Sequence, residues 1–312
     1  MGVAYPSSPP SRTYEARTVY GVTRVAFLVI AHKGPAQLGR LTRRLLAGPS
    51  EVHLHVDART PDDRHAQIVA ALPTDERLHL LERVPTPWSG WGPVDATLRA
   101  LEAILRRPAD PDHLVLMSGQ DYPLRPAAAI AEFLGAHRGR SFVASWPMPS
   151  PLYGRGGGMS RLRRWHVPVG RRRLSLPLPR RYPAGVRPYG GSAFMVLDRA
   201  SAQAVLDFAR GRPDVTRFHR HVWAADEHYV QTALHNSPRS DAVIDENLWH
   251  IEWAGGAKHP RTFEARDFPR LVRAARGNSD AGGAAQAKLF ARKFDAERDE
   301  RVLDLVDGEL LA

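Results

Sequence analysis

The chain has 312 residues, 43% of them hydrophobic and 25% charged, the profile of a folded globular protein with a core that needs no covalent staple. It contains no cysteine, which excludes disulfides, thiolate nucleophiles and Cys-ligated zinc, and no apolar run long enough to span a bilayer. Formal net charge is +11, and only Lys33, Lys258, Lys288 and Lys293 of the 44 basic residues are lysines; such a surface attracts polyanions, nucleotides or anionic lipid headgroups, although heavy use of Arg, Ala, Pro and Gly also reflects a GC-rich coding bias.

Residues 1–22 are rich in Pro and Ser and lack an apolar h-region, so they are expected to be a disordered leader and not a secretory signal. The expected location is the cytoplasm, with peripheral contact at the inner membrane face. Residues 24–31 form a continuous apolar, β-branched run that predicts a buried strand. A helix follows over about 35–47, with Leu38, Leu41, Leu45 and Leu46 at helical spacing. Residues 51–56 predict a second strand, 61–72 a helix, 77–81 a short strand and 96–107 a helix with Leu98, Leu101, Ile104 and Leu105 on one stripe. Another strand is expected over 113–117 and another helix over 126–137. This alternation predicts a parallel sheet covered on both faces, with ligands beyond the carboxyl ends of its strands. Those ends are Ala31-His32-Lys33, Asp57 and Ser118-Gly119-Gln120-Asp121.

The pattern then breaks. Residues 145–190 read as loops or a small subdomain rich in Arg, Gly and Pro. From Phe133 to Leu197 there is no Asp or Glu, while twelve Arg fall in that window. A strand over 192–197, helices over 199–210 and 224–235, a short strand over 249–253 and a surface helix over 298–310 complete the reading.

Asp226-Glu227 starts a helix. By spacing alone both carboxylates are caps, or one caps while the other faces a cleft as a general base. Phe290-Ala-Arg-Lys-Phe294 alternates aromatics with cations, which anchors the rings in the core while a cation projects into a site. Lys258-His-Pro-Arg261 is a second basic loop, and two such loops can clamp a diphosphate. His53/His55 and His219/His221 are metal-ligand pairs without a third ligand at useful spacing, which favours core or surface histidines. Asp110-Pro-Asp112, the only Asp-x-Asp, precedes a strand and so lies at the sheet edge opposite the ligands. A divalent metal on a nucleotide diphosphate would therefore lack evident ligands.

Taken in order, Phe27-Leu-Val-Ile-Ala-His-Lys33, His53-Leu-His-Val-Asp57, Met117-Ser-Gly-Gln-Asp-Tyr-Pro-Leu124, Gly191-Ser-Ala-Phe194, Asp226-Glu227, Trp253 with His259-Pro260, and Phe290-Ala-Arg-Lys-Phe294 resemble the motifs of one family. It comprises the core-2/I-branching β-1,6-N-acetylglucosaminyltransferases and the peptide O-xylosyltransferases, which share glycosyltransferase family 14. The resemblance runs from about Arg24 to Asp295. It implies a GT-A type α/β fold with a mostly parallel central sheet and helices on both faces, a catalytic domain over 23–296 and a helical tail over 297–312.

The implied activity is inverting, metal-independent transfer of GlcNAc or xylose from a UDP-sugar to a hydroxyl of a glycan or glycoconjugate. By motif match Glu227 is similar to the general base and Lys293 to the lysine on the donor diphosphate, with Arg261 or Lys258 as its partner. His32 and Asp57 fall on the donor side, and Trp88 matches an aromatic residue against the uracil. The acceptor side is assigned to Asp121, Arg164, Trp165 and Trp253. Animal members are disulfide-rich type II membrane proteins of the Golgi, so a cysteine-free chain points to a bacterial member with a different acceptor. The Arg-rich window suits an acidic acceptor or an anionic membrane surface. No nucleic acid is expected as a partner, because no reader motif accompanies the arginines. A non-catalytic glycan- or polyanion-binding protein on the same fold is the alternative; intact Glu227 and Lys293 favour the enzyme.

Overall fold

The computed structural model describes residues 21–169, 172–253, 259–277 and 286–312; of the expected leader, residues 1–20 lie outside it. The chain runs β1 (Val25–Ala31), α1 (Pro35–Leu46), β2 (Ser50–Val56), α2 (Asp62–Ala71), β3 (Leu78–Leu80), α3 (Gly92–Leu105), β4 (His113–Ser118), β5 (Asp121–Pro123) and α4 (Ala127–Gly135). Then come β6 (Ser141–Phe142), β7 (Ser145–Pro147), α5 (Met159–Arg163), the hairpin β8 (Trp165–Val169) and β9 (Arg172–Leu176), β10 (Tyr189–Gly191), β11 (Met195–Asp198), α6 (Arg199–Gly211) and α7 (Pro213–His219). The last elements are α8 (Tyr229–His235), β12 (Val243–Ile244), β13 (Trp249–Ile251), α9 (Phe268–Arg276), β14 (Phe290–Arg292) and α10 (Arg301–Glu309).

Seven strands form the main sheet in the order β12-β6-β11-β4-β1-β2-β3. β1 pairs parallel with both β2 and β4, and β2 with β3. The predicted parallel alternation therefore holds for the first half of the chain. β11 departs from it, running antiparallel to β4 and β6, because its chain arrives from the small β7–β10 sheet and not through a crossover helix.

The apolar runs of β1, β2 and β4 are explained by burial on both faces. In β1, Val25, Phe27, Val29 and Ala31 join one core layer with Leu38, Leu41 and Leu45 of α1. Ala26 and Leu28 point the other way, to Leu101 and Ile104 of α3, Val205 of α6 and Tyr229 of α8. This is the period-two alternation of a strand, and each such Leu or Phe contributes roughly 1.5–3 kcal/mol by leaving water. The final helix differs from the expected surface tail. Val302, Leu303 and Val306 of α10 are fully buried in the first layer, while Asp307 accepts from Tyr122 Oη at 2.9 Å and from Arg40 Nε at 2.6 Å. A short helix with three apolar residues on one face gains most of its stability from such packing. Among the described residues no helix is long and apolar enough to cross a membrane.

Candidate active site

A cavity of about 260 Å³ opens where β1, β2 and β4 end. β1 lies between strands that the chain reaches in opposite directions, so this is the switch point at which parallel sheets leave a crevice. His32 and Lys33 enter from the end of β1, Asp57 and Arg59 from β2, and Ser118-Gly119-Gln120 from β4. Thr86, Trp88 and Ser89 close one side; Phe194, Asp226 and Arg292 close the other. The turn after β4 needs glycine, since a Cβ on Gly119 would stand 2.7 Å from Leu38 Cδ2 and 3.0 Å from the Ala31 Cβ. Two non-glycine residues in the left-handed region, Ser89 and Ala224, hold the walls together through Ala224 N–H donating to Ser89 C=O at 2.9 Å. Such residues cost on the order of 1–3 kcal/mol each and cluster at functional sites.

Each charged group has a distinct setting. Burial alone would raise Asp57, but hydrogen bonds from the Arg59 side chain and from the Arg59 and Thr86 amides hold it down at about 2. It is thus an anion already saturated by its own loop. Burial lowers His32, and Lys33 lowers it further, with Lys293 and Arg59 adding to the effect against Asp57; a neutral imidazole here offers one donor and one acceptor. Lys33 is paired with Asp295 at 2.6 Å. Lys293 is not: among the described residues no carboxylate lies within ion-pair distance of it. Burial, followed by the charges of Arg292 and Lys33, pushes its ammonium down.

The aromatic–cation alternation at 290–294 resolves as expected in outline. Phe290 and Phe294 have no exposed surface, with Phe290 stacked on Trp249 at 4.6 Å. The cation on the cavity wall, however, is Arg292. Its NH1 donates to Asp121 Oδ1 at 2.6 Å, and its guanidinium lies 4.3 Å from the Phe194 ring centre. Asp121 also accepts from Ser118 N–H and Oγ–H at 2.9 Å and from Trp249 Nε1 at 3.3 Å. With 0% exposure, Asp121 cannot meet an acceptor; the assignment is corrected to a residue that positions Arg292 and Ser118.

Asp226 lines the cavity and Glu227 lies just beyond it, both in a 3₁₀ turn, Ala225–Glu227, before α8. Neither side chain caps that turn, so the capping reading is set aside. Glu227, 38% exposed, pairs with Arg161 NH1 at 2.5 Å, and Arg161 in turn sits over the Tyr153 ring at 4.5 Å. This contact ties the Arg-rich window to the carboxylate pair. Asp226 has an enclosed Oδ1 with no hydrogen-bond partner among the described residues. Burial, then the neighbouring Glu227, pushes it up to about 7. The folded protein therefore favours protonated Asp226, and its contribution to stability is present below pH ~4 and lost as pH rises through about 7. Asp226→Asn is expected to gain up to about 4 kcal/mol over wild type across that window, and little at pH 4. Melting temperatures of both proteins from pH 4 to 8 check this; parallel curves would refute it.

Of the remaining expected site residues, Trp88 stands at the mouth, 67% exposed, with its ring 5.5 Å from that of His259. Arg261 is drawn away from the cavity, its NH2 bonded to Asp267 at 2.6 Å and its NH1 3.8 Å from Glu252; its backbone carbonyl accepts from Lys293 N–H at 3.3 Å. Lys258 lies outside the described residues. Arg164, exposed at the end of α5, and Trp165, the first residue of β8, do not line the cavity; Trp165 packs beneath Arg180, whose guanidinium is 4.5 Å from its ring centre. Trp253 is half-buried beside β13, with its indole N–H unpartnered among the described residues. Arg59 and Arg292 were missed. Arg292 is drawn to the cavity wall by Asp121 and Ser118, residues far away in the chain that local spacing does not reveal; Arg59 carries no pattern of its own.

The family model described as core-2/I-branching enzyme matches residues 25–271. The chain belongs to this family. It is also similar to xylosyltransferase 2 of Canis lupus familiaris, 25% identical over 92% of this chain and 34% of the relative. Homo sapiens xylosyltransferase 1 is 24% identical over 91% of this chain and 30% of its own length. The chain thus spans about a third of the curated relatives it matches. The mixed α/β architecture, with its largely parallel sheet and a cavity at the strand ends, is the GT-A type of fold expected of a family member.

Proposed function

We propose that the protein is a glycosyltransferase that moves GlcNAc or xylose from a UDP-sugar to a glycan or glycoconjugate hydroxyl, with inversion and without a divalent metal. The observation that carries this reading is the half-buried Lys293 ammonium, with no carboxylate in ion-pair distance among the described residues, beside Lys33 and Arg292 of the cavity wall. A half-buried cation among other cations gains from an anionic ligand, and the cavity mouth offers the exposed Trp88 ring for a base. Cations fixed at the diphosphate would stabilise the charge that grows as it leaves, the task a metal performs elsewhere. Glu227 or Asp226 would take the acceptor proton from the opposite side. Carboxylate placement supports metal independence. Asp110 and Asp112 are engaged by Arg199 and Arg138 at the amino end of β4, and Asp57 is saturated within its loop.

UDP release measured over a panel including UDP-GlcNAc and UDP-xylose is expected to detect turnover that survives excess EDTA. Loss in EDTA with restoration by Mn²⁺ or Mg²⁺ would overturn metal independence and reopen Asp57 as a ligand. UDP-sugar binding with no turnover on any acceptor would favour the non-catalytic glycan-binding reading.

The acceptor is read as acidic. Arg155, Arg163, Arg164 and Arg181 are exposed and form no ion pair among the described residues, while Arg161 links this region to Glu227. Exposed charge contacts are screened by salt, so KM for an acidic acceptor should rise steeply with ionic strength and KM for a neutral one should not. Identical salt responses, together with an Arg163→Gln/Arg164→Gln variant that behaves as wild type, would discard the idea. The same surface would suit an anionic membrane, which vesicle co-sedimentation distinguishes.

A further inference from the structure

The sequence offered His53 and His55 as a metal pair without a third ligand; strand pairing changes that. His53 of β2 stands directly opposite His79 of β3, with their ring centres 4.8 Å apart. Glu51, two residues before His53, projects to the same face. Its Oε1 is 2.8 Å from His53 Nε2 and its Oε2 3.7 Å from His79 Nε2. The ligand-capable atoms of the three residues all lie within 4.8 Å of one another. His79 Nε2 is enclosed and has no hydrogen-bond partner among the described residues. His55 is excluded from the group because its Nε2 accepts from Val84 N–H at 2.9 Å.

We propose that Glu51, His53 and His79 form a zinc site. Two imidazoles and a carboxylate are borderline ligands suited to Zn²⁺, and bonds of about 2.0–2.2 Å at tetrahedral angles require ligand atoms roughly 3.3 Å apart. The observed spacings, 2.8 Å and 3.7 Å from Glu51 and all within 4.8 Å, bracket this value. Glu51 and His53 are nearly enclosed while His79 retains partial exposure, so the ion enters past His79 and water takes the fourth position. The present counter-charge to Glu51 is Arg107, at 3.8 Å and itself 41% exposed, which a metal displaces into solvent. The site lies toward the amino end of β2, about 13 Å along the strand from Asp57 at 3.3 Å per residue. It is thus separate from the donor cavity and independent of the proposed transfer. Its effect is to clamp the edge strand β3 onto β2.

The test is titration of the 312-residue chain with Zn²⁺ by calorimetry and with Co²⁺ by visible absorption, on wild type and on His79→Ala and Glu51→Gln. One equivalent bound, intense cobalt bands of a tetrahedral site, and a melting temperature raised by zinc and restored by chelator are expected. Each variant should lose at least about ten-fold in affinity while keeping the wild-type circular dichroism. Equal stoichiometry and affinity in wild type and His79→Ala would assign any bound zinc to other histidines and overturn the site. So would the absence of tetrahedral cobalt bands in wild type. His79 lies at the sheet edge and partly exposed, so its removal is readable without collapse of the fold; Glu51→Gln, which keeps the shape, provides the second reading.

Discussion

Glu227→Gln is expected to lower turnover by roughly 10²–10⁴-fold, the range typical of a lost general base, with the fold unchanged. Glutamine keeps the size and much of the hydrogen bonding but cannot accept the acceptor proton. The structure explains why stability should survive: Glu227 is partly exposed, its pair with Arg161 joins groups 26% and 38% accessible, and such pairs contribute about 1 kcal/mol or less. Asp226 sets the contrast. It faces the cavity, and burial pushes it up to about 7, where a proton acceptor operates well near neutral pH. If Asp226→Asn collapses the rate and removes the limb of the kcat/KM profile near pH 7, while Glu227→Gln stays close to wild type, the base is Asp226. Single-turnover rates for both variants, with melting curves as controls, decide between them.

Lys293→Ala is expected to weaken UDP binding and to lower turnover more, by roughly 10²–10³-fold, the cost of removing one group aimed at developing charge. Charge on the diphosphate grows between ground and transition state, so kcat should suffer beyond the loss of donor affinity. Arg261→Ala is the internal comparison. Its guanidinium is committed to Asp267 and Glu252, so that variant should lose melting temperature while calorimetry shows UDP affinity little changed. Unchanged UDP affinity and rate in Lys293→Ala would return Lys293 to ordinary surface charge, and a collapse of UDP affinity confined to Arg261→Ala would exchange their roles.

The strand and helix alternation from β1 to α4 was legible because each element carries its own period. β1 and β4 are continuous apolar runs that must be buried on both faces, and α1 and α3 show leucines at helical spacing. The strand ends they imply are the residues that line the cavity: His32, Asp57 and Ser118. The expected short strand over 249–253 is found as β13, whereas β5 and β14, at three residues each, are too short to show a period and were not expected as strands. Their strand character comes from pairing with one another across long stretches of chain.

By itself, then, the sequence determined the parallel half of the sheet, the edge where ligands go, the apolar anchors at Phe290 and Phe294, and a carboxylate pair at 226–227. Which member of each pair of charged neighbours faces the cavity was decided only by tertiary structure. Arg292 reaches it because Asp121 and Ser118 fix its guanidinium. Arg261 does not, because Asp267 holds it elsewhere. Likewise Glu51, His53 and His79 become neighbours only through the β2–β3 register. Periodicity reports which face of an element is apolar. The partner of a long, flexible charged side chain depends on which distant segments pack beside it, and local spacing carries no record of that.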